Sequence, residues 1–195
     1  MPDTIVSGAG VRNEAKVDSD LRLWTSAKNS SLQHIISHQK QGAFQVIGTA
    51  TLASGTVVVL HGKNSHQTKD MIFTYIRHQI IDQDGGTEVP NASNYFRIAL
   101  NRTYTSGGST ATPAQMFAGN GTSSQTTWYQ GAPTLGGTAT EIDRWYTKAE
   151  GDMNTFNKEG TVICPPNGTI EMAYVGDQSS GTVYCRASFV MDERG

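Results

Sequence analysis

Histidine spacing is the first feature of this sequence that could support chemistry. His34 and His38 lie four residues apart, so on a helix they would share one face, like the zinc ligands of a His-Glu-x-x-His motif. Two isoleucines and a serine lie between them, so the glutamate that acts as general base in that motif is missing. His61, His66 and His78 fall on a predicted strand end, a loop and a strand, and zinc needs three or four converging ligands. We therefore predict no metal site.

The acidic turn at residues 82–86 has part of the pattern of a calcium loop. Asp82 and Asp84 precede Gly85, and Glu88 follows as a conceivable ligand, but the terminal glutamate of an EF-hand is missing. The sequence also contains no nucleophile elbow, no phosphate-binding loop and no dinucleotide fingerprint. We therefore interpret the turn as a connection between strands and predict a non-enzymatic protein without a cofactor.

Aromatic pairs and cysteines are the remaining candidates for chemistry. Neighbouring aromatic residues can form a contact surface, for example a platform for a sugar, although they also pack cores and subunit interfaces. The candidates for such a surface are Trp128, Tyr129, Trp145 and Tyr146. Cys164 and Cys185 are too few for a metal set or a disulfide framework. We interpret them as buried free thiols, and whether they pair is left open.

Charge and hydropathy argue against two classes of partner. Charged residues make up 16% of the chain, below the average of about 25% for globular domains. The net charge is −2 and the cations are scattered singly, so binding to a nucleic-acid backbone is not expected. The longest apolar runs, such as residues 57–60, are too short to cross a membrane. The first residues also lack the pattern of a signal peptide, so we expect synthesis in a cytosol.

Alternating apolar and polar residues predict the elements that must position these side chains. About eight strands separated by Gly, Pro and Asn turns are expected, with one helical candidate at residues 29–41. The eight main strands are expected at 43–52, 56–61, 71–81, 94–103, 141–148, 161–164, 169–175 and 182–191. A short strand at 21–25 precedes them, and another near 124–130 is expected within a polar excursion. Because no strand–helix–strand alternation occurs, we predict an all-β fold, an antiparallel β-sandwich of jelly-roll type.

The domain organisation follows from the same pattern. Residues 1–20 are predicted to form an extended N-terminal arm, and residues 21–195 a single β-sandwich domain. Residues 104–140 form a long polar excursion with one or two short strands, and residues 149–159 a loop. In the strand at 71–81, strict alternation places Phe73 with Tyr75 and Arg77, opposite Ile76 and His78.

Two segments resemble a group of phage structural proteins. Residues 15–23 read Ala-Lys-Val-Asp-Ser-Asp-Leu-Arg-Leu, which is similar to the start of that group. Residues 162–190 contain an apolar strand, Pro-Pro-Asn-Gly-Thr, a second strand, a Gly-rich turn and a last strand, which resembles the end of the group. The resemblance implies a virion protein made in the host cytoplasm, namely a capsid decoration (cement) protein with a jelly-roll body. It also implies a homotrimer that binds the major capsid protein or other virion proteins.

The N-terminal segment is the predicted contact with the shell or a neighbouring subunit. An extended arm can order upon binding, and the residues expected to make this contact are Val17, Asp18, Leu21 and Leu23. Two alternatives stay open. One is a tail, fibre or baseplate component whose residues 104–140 contact a host receptor. The other is a carbohydrate-binding or glycan-cleaving β-sandwich that uses the aromatic pairs.

Overall fold

The chain divides into two compact units, Met1–Ser31 and Leu32–Gly195. The computed structural model describes residues 42–81, 94–116, 123–146, 153–157, 161–177 and 180–193, together with the backbone of four short strands near the N-terminus. In the first unit, β1 (Thr4–Val6) pairs antiparallel with β2 (Arg12–Glu14), and β3 (Lys16–Val17) pairs with β4 (Leu23–Trp24). The predicted role of this segment as a contact arm stays a prediction.

Strands joined by turns and loops make up the described part of the second unit, and no described residue lies in a helix. Accordingly, no helix able to cross a membrane occurs in these ranges. The strands are β5 (Ala43–Thr51), β6 (Gly55–Asn64), β7 (Lys69–Ile81), β8 (Tyr95–Leu100), β9 (Thr103–Ser106), β10 (Ser109–Ala111), β11 (Ala114–Gln115), β12 (Thr126–Gln130), β13 (Thr134–Gly136), β14 (Thr140–Tyr146), β15 (Asn154–Asn157), β16 (Ile163–Cys164), β17 (Thr169–Gly176) and β18 (Thr182–Glu193).

Two antiparallel sheets form the body of this unit. Sheet I has the strand order β10-β12-β6-β17-β8-β14, and sheet II has the order β11-β5-β18-β7-β15, with β16 also paired to β7. Eight of these strands follow one another along the chain as β5, β6, β7, β8, β14, β15, β17 and β18. Their orders within the sheets, β6-β17-β8-β14 in sheet I and β5-β18-β7-β15 in sheet II, are those of a jelly roll, two interlocked Greek keys. The predicted all-β, antiparallel, jelly-roll-like sandwich is therefore confirmed.

Most predicted strands occur near their expected positions, because alternation and turn residues are local signals. Two segments differ from expectation. Residues 154–157, expected in a loop, form β15, whose four residues pair with β7 at the edge of sheet II. The excursion at 104–140 contains the whole of β10, β11, β12 and β13, more than the one or two strands expected. The helical candidate at 29–41 lies outside the described residues.

A β-bulge in β7 corrects the predicted faces of that strand. Opposite β18, the register moves from Ser188–Tyr75 to Phe189–Phe73, so Thr74 is an extra residue. The Thr74 hydroxyl donates a 3.2 Å hydrogen bond to the carbonyl of Ser188. As a result Phe73 faces the core together with Ile76, whereas strict alternation had placed these two residues on opposite faces.

The core lies between the two sheets and is dominated by aromatic and aliphatic side chains from both. The ring of Trp128 on β12 packs against Phe73 and Phe189 of sheet II, with centroids 6.3 and 5.6 Å apart. Both cysteines are buried free thiols, as expected: burial raises the pKa of Cys164 to about 12 and raises that of Cys185 as well. Because the inner faces of both sheets are filled by this core, the outer face of each sheet is the surface that can contact other molecules.

Candidate functional site

The predicted aromatic contact surface is wrong for its two tryptophans. Trp128 is 1% exposed and Trp145 is 8% exposed, because both point into the core from their strands. Strand alternation therefore turns the following residue of each pair outward. Tyr129 is half-buried on the outer face of sheet I, while Tyr146 is exposed and packs edge-on against Tyr95. Contact roles for the two tyrosines stay predictions.

The structure places only part of the predicted N-terminal contact. Val17 on β3 stands opposite Leu23 on β4 in an antiparallel pair. Asp18 and Leu21 lie outside the described residues, as do His34, His38, Asp82, Asp84 and Glu88. The contact predicted for Asp18 and Leu21 therefore stays a prediction. The same holds for the interpretation that the histidines and the acidic turn bind no metal.

The three described histidines occupy separate environments. His78 is in the core, where its ring stacks on Phe96 with centroids 4.6 Å apart. His66 lies in the turn between β6 and β7, and its Nδ1 accepts hydrogen bonds from the backbone N–H groups of Thr68 and Lys69. His61 lies on the outer face of sheet I. Within the described ranges, no three His, Cys, Asp or Glu side chains are grouped to hold a metal ion.

Two arginines stand side by side on the outer face of sheet II. Arg186 of β18 and Arg77 of β7 are direct register partners, so their side chains project from adjacent positions. Neither guanidinium forms an ion pair with a carboxylate in the part of the chain that the structure describes. The Arg77 guanidinium lies over the ring of Tyr75, 4.7 Å from its centroid, and its Nε is buried without a hydrogen-bond partner.

Exposed apolar side chains surround this arginine pair. Ile47 on β5, directly opposite Arg186, is 49% exposed, and Tyr184 and Met153 are 39% and 55% exposed. Together these residues border a depression of about 150 Å³. We call the surface formed by Ile47, Arg77, Met153, Tyr184 and Arg186 the arginine face. Arginine, aromatic residues and methionine are the types enriched in protein–protein interfaces, so the composition fits a docking surface.

A buried ion-pair cluster organises the outer face of sheet I. Glu171 on β17 is 1% exposed and accepts hydrogen bonds from Arg97 at 2.7 Å and from Arg102 at 3.2 Å. Arg102 also donates a 2.8 Å hydrogen bond to the carbonyl of Leu135. Leu135 belongs to the ribbon formed by β9 and β13, and it packs on Val58 of the sheet. The cluster therefore ties this ribbon to the sheet beneath it.

His61 lies beside the cluster, directly opposite Glu171 on β17 and Tyr129 on β12. Its Nε2 lies 3.0 Å from the carbonyl oxygen of Arg102, which can only accept, so Nε2 carries a proton. Burial lowers the pKa of His61, outweighing the Arg102 carbonyl and Glu171, which raise it. The ring is therefore neutral near pH 7, and its Nδ1 lone pair is buried without a partner.

A polar groove of about 400 Å³ opens above His61. Tyr129 and Tyr104 stack face to face beside it, with ring centroids 3.6 Å apart and planes inclined by 3°. Lys63 also lines the groove, and the described residues that line it include no acidic side chain. The remaining lining residues carry hydroxyl or amide groups: Ser65, Thr103, Thr127, Asn167 and Thr169.

Sequence reasoning missed both surfaces. Strict alternation grouped Arg77 with Phe73 and Tyr75 and made no statement about Arg186, and only the register between strands distant in sequence makes the two arginines neighbours. Likewise, the Tyr104–Tyr129 stack joins β9 to β12, and the intervening residues hold no local pattern that indicates it. No protein-family model, curated protein or solved structure matches this chain.

Proposed function

We propose that this chain is a non-enzymatic structural protein of a phage virion that binds the capsid shell as a decoration protein, with the arginine face as a docking surface. The observation that carries the proposal is that Arg77 and Arg186 stand side by side within an exposed apolar surface, without a carboxylate partner among the described residues. The jelly-roll topology also supports it, since this architecture occurs in viral capsid proteins, although it also occurs in lectins. The resemblance of residues 15–23 and 162–190 points in the same direction.

The chemistry of the arginine face defines its partner. Two neighbouring guanidinium groups repel each other and lack a carboxylate within the described residues, so a partner surface that supplies carboxylates would relieve this repulsion. Ile47, Tyr184 and Met153 would contribute apolar contact area around the ion pairs. We therefore expect a shell protein with an acidic patch bordered by apolar side chains.

A second copy of this chain fits the arginine face less well. In a two-fold contact centred on this face, the same residues would meet from both copies, and arginines would face arginines. The predicted homotrimer would instead have heterologous contacts between different surfaces of neighbouring copies, and we assign these to surfaces other than the arginine face, among them the N-terminal segment with Val17 and Leu23. On this view the arginine face binds the shell, and the predicted homotrimer is a separate assembly step.

Immunogold electron microscopy of purified virions tests the location. Label over the head supports the proposal. Label at the tail would contradict it and favour the alternative of a tail, fibre or baseplate component, in which residues 104–140 contact the host.

Cosedimentation with capsid shells tests the docking surface. Arg186→Glu should weaken shell binding at least tenfold, because it places a carboxylate against the acidic partner. Arg144→Glu is the matched control, since Arg144 is exposed on sheet I and pairs with Glu141. Shell binding by Arg186→Glu equal to that of the unmodified protein would overturn the assignment of this face, as would failure of the unmodified protein to bind shells.

A further inference from the structure

The polar groove on sheet I has the features of a second binding site, independent of the arginine face. We propose that it binds an acidic saccharide, with the Tyr104–Tyr129 stack as the aromatic wall, His61 as the floor and Lys63 as the cationic group. The inference goes beyond the proposed function, because it rests only on the groove and would hold for this protein in any location.

His61 lines the groove and has a buried Nδ1 without a hydrogen-bond partner among the described residues. His61 is 1% exposed, and its Nε2 proton is already used by the carbonyl of Arg102 at 3.0 Å. Nδ1 is then an acceptor with no partner, an arrangement that costs free energy unless a donor reaches it. A ligand hydroxyl is such a donor.

The tyrosine stack supplies a flat apolar surface next to these polar groups. Tyr104 lies parallel to Tyr129 at 3.6 Å and keeps 36% of its surface exposed, so the stack ends in an accessible ring. The C–H face of a pyranose packs well on such a ring, while the surrounding threonine hydroxyls can both donate to and accept from sugar hydroxyls. This combination of one aromatic wall and a hydroxyl-rich lining fits a saccharide.

Local charge selects an acidic saccharide over a neutral one. Lys63 is exposed in the groove and no lining residue of the described ranges is acidic. Beneath the groove, Arg97 and Arg102 face the single carboxylate of Glu171, which leaves one net positive charge. The resulting positive potential favours a carboxylate or another anionic substituent on the sugar.

A glycan array with the full-length protein tests the proposal. The array carries uronic-acid-terminated, sialylated and neutral oligosaccharides, and titration calorimetry then measures affinity for the best-bound probe. We expect binding to acidic glycans, a loss of at least tenfold with Tyr104→Ala, and a similar loss with Lys63→Gln. Tyr146→Ala is the control for removal of an exposed tyrosine elsewhere on sheet I and should bind like the unmodified protein.

Three outcomes would overturn the proposal. In the first, the protein binds no glycan on the array. In the second, Tyr104→Ala binds acidic glycans as well as the unmodified protein does. In the third, neutral and acidic glycans bind equally and Lys63→Gln leaves their affinities unchanged. Circular dichroism of each variant confirms that it retains the β-sandwich. Because Lys63 is an exposed side chain, its substitution tests the site even if Tyr104→Ala disturbs the ribbon.

Discussion

Trp145 and His78 join the two sheets through a hydrogen bond inside the sandwich. The indole Nε1 of Trp145, on β14 of sheet I, donates to Nδ1 of His78, on β7 of sheet II, over 2.8 Å. Both side chains also pack on Phe156, with ring centroids 3.8 Å from Trp145 and 6.1 Å from His78. The bond gives the indole N–H a buried partner, so Trp145, predicted as part of a contact surface, is accommodated in the core.

Replacing Trp145 with Phe should lower the free energy of unfolding by about 1–3 kcal/mol, because a buried acceptor on His78 loses its donor. Urea denaturation followed by circular dichroism measures the change. Tyr146→Phe is the control, since that exposed residue should change stability by less than about 0.5 kcal/mol. Equal stability of the two variants would show that the hydrogen bond contributes nothing.

His61 should make stability depend on pH. Burial lowers its pKa in the folded state, so below the unfolded-state value of about 6.5 the unfolded chain takes up a proton that the folded chain resists. The contribution is thus fully present above pH of about 6.5 and declines as the pH falls toward the folded-state pKa. His61→Gln should flatten this part of the profile, measured by urea denaturation between pH 7.5 and 4.5 (about two units on the acid side of the His value). A profile with unchanged slope would contradict this role.

Both thiols should be unreactive in the folded protein. Only the thiolate attacks a disulfide reagent, and burial raises the pKa of Cys164 to about 12 and raises the pKa of Cys185 as well. We expect reaction with an aromatic disulfide reagent at neutral pH to be orders of magnitude slower in buffer than in denaturant. The denatured protein, in which both thiols react, provides the reference amplitude. Rapid labelling of the native protein would show that one thiol is accessible.

A methyl group at Gly62 should destabilise the fold. An added Cβ would lie 2.7 Å from two ring atoms of Trp128, whose ring is held between the sheets. Gly62→Ala should therefore cost about 1–3 kcal/mol of unfolding free energy through overpacking. Gly136→Ala, where the nearest atom is 3.7 Å away, is the matched control and should be near neutral. Thermal unfolding compares the two, and an unchanged melting temperature for Gly62→Ala would contradict the close contact.

Removing the charge of Glu171 should loosen the outer face of sheet I. The carboxylate is the shared partner of Arg97 and Arg102, whose side chains are largely buried, so Glu171→Gln leaves two guanidinium groups uncompensated. Breaking a buried pair in this way costs about 3–5 kcal/mol. Glu141→Gln removes the carboxylate of the exposed pair with Arg144 and should cost about 0–1 kcal/mol. Denaturant titrations that give equal losses would show that burial does not strengthen the Glu171 cluster.

Sequence patterns determined the fold class and most strands of this protein. In β18 the residues Val183, Cys185 and Ala187 alternate with polar residues, and the structure buries all three. The period of two is a local property of an extended chain, so it can be recognised without knowledge of the partner strands. Local pattern also identified the buried run at 57–60, whose outer side is covered by Leu135 of the ribbon.

Tertiary structure alone decided which residues become neighbours across strands and which way the irregular positions point. The extra residue Thr74 in β7 moved Phe73 into the core, and no alternation rule predicts where a bulge interrupts a strand. The Arg77–Arg186 pair, the Glu171 cluster and the Tyr104–Tyr129 stack all join segments that are distant in sequence. Alternation assigns each side chain to a face, but register determines its neighbours, and register follows from the packing of the whole sandwich.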